Sequence, residues 1–267
     1  MSFDASLEYL GTMQSRPQFN VYDRRSHNLN LEAHSVRVCS GRSASGACSL
    51  EREGFQLARH STQVPNLESR KAVLLKYRAE VQDVIRQLTG ASLAIAEPLG
   101  VIRSGEEKGP QARPVHAPIR FVHADFSPRS AWEQIQRFLP PEEALAVSRQ
   151  RFAIYNAWRV LTPPPQDLPL AVCDLRTVNP DDAVCADTIL DFPGSRSGTR
   201  EVMLFRFNRD HLWYVFEDMT ADELLIFKAF DSSMDGLSQV PHCAFPMPSA
   251  SGAVPRLSLD IRVLAAF

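Results

Sequence analysis

Residues 255–264 read Pro255-Arg256-Leu257-Ser258-Leu259-Asp260-Ile261-Arg262-Val263-Leu264. Polar and apolar side chains alternate strictly from Arg256 to Val263, the pattern of a strand with one face in a core. The polar face carries Arg256, Ser258, Asp260 and Arg262. On an open sheet that face would be solvated. On a strand that closes a barrel it lines the cavity instead. There an arginine beside a serine can hold a carboxylate with a bidentate fork and a hydroxyl. Upstream stands Pro241-His242-Cys243-Ala244-Phe245. The gap leaves room for one loop and a return strand, so His242 and Arg256 could face one pocket.

A second stretch gives His242 its partners. Phe121-Val122-His123-Ala124-Asp125-Phe126-Ser127 has a β-prone approach and one residue between a histidine and an aspartate. On a strand that spacing puts His123 and Asp125 on the same face. One imidazole, one carboxylate and a second imidazole make a facial triad, which leaves open positions on Fe(II) for a cosubstrate and dioxygen. His123, Asp125 and His242 are the predicted ligands. The tripeptide alone is weak, since a chain with 7 His meets it readily by chance. A strand end with two exposed polar residues is the bland reading.

The order of further words makes the reading sharper. Asn156-Ala157-Trp158-Arg159-Val160-Leu161, Pro169-Leu170-Ala171-Val172-Cys173-Asp174, His211-Leu212-Trp213-Tyr214 and Leu225-Ile226-Phe227-Lys228-Ala229-Phe230-Asp231-Ser232 precede Pro241-His242 and Pro255-Arg256-Leu257-Ser258. Together they resemble the Fe(II)/2-oxoglutarate oxygenases that include cephalosporin methoxylase chains, gibberellin desaturase and AsaB-type hydroxylase/desaturases. The resemblance covers roughly Val36 to the C-terminus. One departure is Ala124-Asp125-Phe126-Ser127, where the family pattern has Asn or Cys and then Asp-Gln-Ser. The ligands are unaffected, but the pocket wall beside them differs.

The resemblance implies a mainly β fold with flanking helices, a double-stranded β-helix or jelly-roll barrel of the cupin kind. It implies Fe(II), 2-oxoglutarate and dioxygen, with Arg256 and Ser258 on the distal carboxylate of the cosubstrate. The reaction would oxidise an unactivated C–H bond of a small natural-product or amino-acid-like substrate, by hydroxylation, desaturation or oxidative cyclisation. Arg262 is a candidate for a substrate carboxylate, or equally a partner of Asp260 or a surface acid. Two other readings stand beside this one. One is a jelly-roll module that binds a ligand without turnover. The other is an iron oxidase that takes no 2-oxoglutarate, which the Arg256–Ser258 pair argues against.

Composition narrows the classes. The chain has 267 residues, 44% hydrophobic and 22% charged, an ordinary globular balance for one large domain. Within that single oxygenase domain, 1–33 reads as an N-terminal arm, 34–118 as a hairpin, a packing helix and a loop, and 119–267 as the barrel core. The arm could meet a second subunit in a homodimer. A net charge of −2 argues against nucleic acid as a partner. No apolar run approaches the ~20 residues that span a bilayer, so no membrane role is expected. The first residues lack a basic and an apolar signal region. The 5 Cys are scattered at spacings that do not suggest zinc, and read as reduced thiols of a cytoplasmic protein.

In chain order, residues 35–38 and 55–58 alternate around a Ser/Gly-rich stretch and predict a hairpin. Val73, Leu74, Tyr77, Val81, Val84, Ile85 and Leu88 predict one helix over 66–89, capped by Asn66 or Ser69 and ended by Gly90. Its charged face reads as solvated. A loop over 104–118 could be a lid, and His116 within it reads as solvated, as does His60. Two short helices follow the His-x-Asp strand, the second started by prolines. Phe152–Val160 is the next strand. Its alternation separates Asn156 and Trp158 from Ala157 and Arg159, so only one pair can look inward, and periodicity does not choose. The resemblance places both Asn156 and Arg159 near the site. Asn208-Arg209-Asp210 predicts a hairpin turn, and Lys228 with Asp231 an ion pair near the barrel end.

Overall fold

The computed structural model describes residues 2–21, 27–43, 48–105, 115–190, 198–247 and 252–267. In chain order the strands are β1 (Ser2–Leu10), β2 (Gln18–Asn20), β3 (Leu31–Ser40), β4 (Phe55–Arg59), β5 (Leu93–Ala96), β6 (Val101–Ser104), β7 (Val115–His116), β8 (His123–Ala124), β9 (Phe152–Val160), β10 (Leu170–Cys173), β11 (Ala183–Leu190), β12 (Gly198–Phe205), β13 (Trp213–Val215), β14 (Glu223–Asp231), β15 (His242–Ala244) and β16 (Leu257–Ala266). They form two sheets. The first runs β1-β3-β13-β10-β15-β8-β12-β11-β2, and the second β4-β14-β9-β16-β6-β7 with β5 beside β16. The sheets pack face to face as the expected jelly roll. Trp158 and Val160 of β9 and Leu225 and Phe227 of β14 meet Val172 of β10 between them. Among the described residues, no helix is long and apolar enough to cross a membrane.

Strand β16 is the centre of the second sheet, paired with β9 along its whole length. Its alternation divides two environments. Leu257, Leu259, Ile261, Val263 and Ala265 face outward into a cluster with Val81 and Ile85 of the covering helix. Burying each of these side chains contributes about 1.5–3 kcal/mol. The opposite face, with Arg256, Ser258, Asp260 and Arg262, turns toward the first sheet.

The covering helix is one rod with an inserted turn. It begins as α1 (Arg70–Ala72), passes through a π-helical turn at Val73–Tyr77 and continues as α2 (Arg78–Thr89). Ser69 caps the start and Gly90, in the left-handed conformation at φ 72°, ends it. The wide turn shifts the apolar register. Val73 and Tyr77 are buried, but the predicted core residue Leu74 is 45% exposed. Two further helices, α3 (Pro128–Phe138) and α4 (Pro141–Ser148), follow β8 and pack on Phe152, Ile154 and Leu264.

Three local expectations change. Residues 35–58 are not a hairpin: β3 pairs with β1 and β13 in the first sheet, whereas β4 pairs with β14 in the second. Residues 1–33 are not simply an arm. β1 is a sheet strand whose pairing with β3 runs from Ser2 to Leu10, and Glu8 accepts a bond from the Val122 N–H. Asn208-Arg209-Asp210 is not a hairpin turn, because β12 pairs with β11 and β8, and β13 with β10 and β3. Each error has one cause. Alternation identifies a strand but not its neighbour. Most of the expected lid over 104–118 lies outside the described residues. All five cysteines are free thiols.

Candidate active site

The first sheet brings His123 and His242 side by side. β8 and β15 are antiparallel neighbours in which these two residues face each other directly. Their rings lie 4.3 Å apart between centroids. Asp125 comes two residues after His123, just before the chain enters α3. Ser127 caps that helix by accepting the Ser130 N–H, and Pro128 takes its first position. Ligand atoms of His123, Asp125 and His242 all lie within 4.8 Å of one another. The three residues are 5%, 6% and 6% exposed.

Hydrogen bonds aim these atoms. His123 Nδ1 lies 3.0 Å from the Phe121 carbonyl, and His242 Nδ1 lies 3.1 Å from the Val240 carbonyl. A carbonyl only accepts, so in each ring Nδ1 carries the proton and Nε2 keeps its lone pair. Burial holds both imidazoles neutral. It pushes His123, which also faces His242, down to about 3, and it lowers His242 as well. For Asp125, burial pushes upward, but the charge of Arg262 overcomes it and holds the carboxyl well below its usual range.

The two oxygens of Asp125 face different ways. Asn156 donates to Oδ2 at 2.7 Å, and Arg262 donates to the same oxygen from Nη2 at 3.0 Å. Oδ1 lies 3.9 Å from His123 Nε2. One oxygen is therefore fixed by the second sheet and the other is presented beside the imidazoles. Asn156 also donates to Asp260 at 3.0 Å, and burial pushes that carboxyl up to about 7. Arg262 reaches Glu97 at 3.7 Å, and Gln134 of α3 in turn donates to Glu97.

Arg256 and Ser258 occupy the same face of β16, toward Trp158. The Arg256 guanidinium lies 5.4 Å from the centre of the Trp158 ring and donates to the Leu168 carbonyl. Arg256 and Ser258 are each 1% exposed. Among the described residues, the Arg256 Nε and the Ser258 hydroxyl have no hydrogen-bond partner. Burial and the charge of Arg103 push the guanidinium down to about 9, still a cation at neutral pH. A buried cation and hydroxyl without an anion are costly to keep in that state.

Arg159 is elsewhere. It lies on the outer face of β9 with Ala157, fully buried beneath the helix. Its Nε donates to the Tyr77 hydroxyl at 2.9 Å, and Nη1 donates to the carbonyls of His60 and Ala221. Asn156, not Arg159, is the inward member, because β9 runs opposite β16 without a bulge and Asn156 stands across from Arg262. His60 is likewise not solvated, since its ring sits against Arg159.

A cavity of about 350 Å³ opens beside the triad. His123, Asp125 and Arg262 form part of its wall, together with Ile102, Arg103, Thr188, Arg200 and Val202. Arg256 and Ser258 are not in that wall. Thr188 and Arg200 were not singled out in the sequence. No local pattern pairs two residues across a loop.

The family described as "Oxidoreductase/YMDC permease-like domain" matches residues 7–266. The hydroxylase/desaturase efuI of Hormonema carpetanum is 32% identical over 90% of this chain and 85% of that protein. The Fe(II)/2-oxoglutarate-dependent dioxygenase nvfI of Aspergillus novofumigatus is 29% identical over 89% of this chain and 84% of its own length. A solved structure of the iron and alpha-ketoglutarate-dependent endoperoxidase NvfI superposes with a TM-score of 0.84 and 27% identity. It covers 99% of this chain and 98% of that one.

Proposed function

This chain belongs to the Fe(II)/2-oxoglutarate-dependent hydroxylase/desaturases, and we propose that His123, Asp125 and His242 hold its iron while Arg256 and Ser258 take the distal carboxylate of 2-oxoglutarate. The protein is an Fe(II)/2-oxoglutarate-dependent dioxygenase of the kind that oxidises small secondary metabolites. The observation that carries the ligand assignment is the division of Asp125, with Oδ2 tied by Asn156 and Arg262 and Oδ1 left 3.9 Å from the His123 Nε2, in a cluster whose three ligand atoms lie within 4.8 Å of one another. Two neutral imidazoles and one carboxylate, with no thiolate, suit iron(II) and leave coordination positions open.

The orphaned Nε of Arg256 and hydroxyl of Ser258 fit the cosubstrate. A carboxylate there would satisfy both donors at once and balance a buried charge. An iron oxidase that takes no 2-oxoglutarate would leave them unmatched. When bound, iron and 2-oxoglutarate supply dioxygen activation and the removal of hydrogen from a substrate C–H bond, with succinate and carbon dioxide as by-products. The chain's own contribution is position. The carbonyls of Phe121 and Val240 fix the imidazole tautomers. Asn156 and Arg262 fix the carboxylate, the outer donors that commonly tune a metal site.

We also infer that residues 1–267 form one oxygenase domain, because the first sheet takes a strand from Ser2 onward and the second from residues up to Ala266. The ligand assignment is tested by iron content and 2-oxoglutarate turnover. Wild type should bind one iron per chain and release succinate. Asp125→Ala should retain its fold but hold no iron above background. Stoichiometric iron in Asp125→Ala would remove Asp125 from the ligand set.

A further inference from the structure

Among the described residues, two buried cation–hydroxyl pairs have donor atoms without a partner. Arg256 with Ser258 is one. The other is Arg200 with Thr188, on the opposite sheet. Thr188 of β11 and Arg200 of β12 stand directly across from each other in an antiparallel pair, so their side chains share one face. Both line the cavity that also contains His123 and Asp125. Thr188 is 1% exposed, yet among the described residues its hydroxyl has no partner, and the Nε of Arg200 is buried without one.

The neighbouring arginine gives the contrast. Arg200 and Arg262 both lie over the Phe126 ring, at 5.2 and 5.3 Å. Arg262 pairs with Asp125 and Glu97. Arg200 makes no ion pair and donates no hydrogen bond among the described residues. Burial and the charge of Arg262 push it down to about 10, so it stays a cation at neutral pH. Most of the remaining wall is apolar, including Phe19, Val21, Leu99, Leu190 and Val202.

We propose that Arg200 and Thr188 form the substrate-anchoring subsite and that the substrate is a compact, largely apolar molecule bearing one carboxylate. The guanidinium takes the carboxylate and the threonine hydroxyl donates to it. The apolar skeleton then fills the cavity on the open side of the triad. This substrate class rests on the oxygenase reading above. The subsite is distinct from the cosubstrate anchor, since two separate carboxylates meet two separate cation–hydroxyl pairs. The flat ring of Phe126 lies against both arginines.

The test uses protein loaded anaerobically with Fe(II) and 2-oxoglutarate. Calorimetry measures the binding of 2-naphthylacetic acid, dodecanoic acid and a tricyclic diterpene acid, each against its methyl ester. At least one acid should bind about tenfold more tightly than its ester, as expected for a charge-assisted hydrogen bond in a buried site. Arg200→Met should erase that preference, Arg200→Lys should keep part of it, and Thr188→Val should reduce it. The visible charge-transfer band of the iron–2-oxoglutarate complex should persist in all three. The proposal is overturned if no acid is preferred over its ester, if Arg200→Met keeps the preference, or if Arg200→Met loses the band while wild type shows it. Absence of the band in wild type would instead strike the oxygenase site itself.

Discussion

Asp125 works through both of its oxygens, and the residues on Oδ2 are as informative as the ligands. Removing Arg262 should loosen the carboxylate without removing it. Arg262→Met should weaken iron binding by about 10–100-fold, the usual effect of losing an outer hydrogen bond at a metal site. Competition with a chelator measures this, and an unchanged iron affinity would show that Asn156 alone orients Asp125. Arg159→Met should behave in the opposite way. It strips bonds from Tyr77, His60 and Ala221 in a fully buried position. It should cost about 2–4 kcal/mol in chemical denaturation, as expected when buried acceptors lose their donors. Iron and 2-oxoglutarate affinity should stay at wild-type values. The His-x-Asp spacing was legible because it needs only strand parity. The choice between Asn156 and Arg159 was not, because parity separates two faces without saying which looks inward. That choice is made by β16 and the helix on its far side.

The elements show the same limit one level up. The helix was legible from its apolar stripe and from Gly90, but its π-helical turn left no mark in the periodicity until Leu74 was seen to be exposed. Gly90 tests the cap alone. A Cβ there meets nothing within 4 Å, so Gly90→Ala adds backbone strain without a clash. It should cost about 1–2 kcal/mol, the penalty for an L-residue in the left-handed region, read as a lower unfolding midpoint with activity retained. The Lys228–Asp231 pair was also legible, and it is buried at 3.2 Å with Arg151 as a second partner. Burial pushes Asp231 upward, but Arg151, Ser233 and Lys228 together lower its pKa. A lowered carboxyl contributes stability that is complete above its unfolded value near 4 and is lost as the pH falls through the folded value. Asp231→Asn should destabilise by about 3 kcal/mol at neutral pH, since it leaves Lys228 buried without its charge partner. The gap to wild type should narrow below about pH 4. A gap independent of pH would mean that the charge on Asp231 adds nothing. Neither strand-pairing error could have been avoided locally. β3 and β4 alternate as a hairpin would, yet long-range pairing sends them to different sheets.

At the scale of the molecule, the jelly roll exists to bring two sheets to one point. The first sheet supplies His123 and His242, with Asp125 just past the end of β8. The second supplies Asn156 and Arg262 for orientation, and Arg256 with Ser258 further along the same strand face. The alternation of residues 256–263 contained this arrangement, because a polar strand face inside a closed barrel has to meet polar partners. Resemblance to a family named the partners. The Thr188–Arg200 part of the cavity wall was not legible, since these two become neighbours only through the pairing of β11 with β12. The central claim is that one site holds both iron and 2-oxoglutarate, with Arg256 as the anion anchor. Anaerobic titration of the metal-free protein with Fe(II) and then 2-oxoglutarate tests it most directly. Wild type should show a weak visible charge-transfer band, and Arg256→Ala should lose it at the same cosubstrate concentration with iron still bound. A band of equal strength in Arg256→Ala, or no band in iron-loaded wild type, would contradict it.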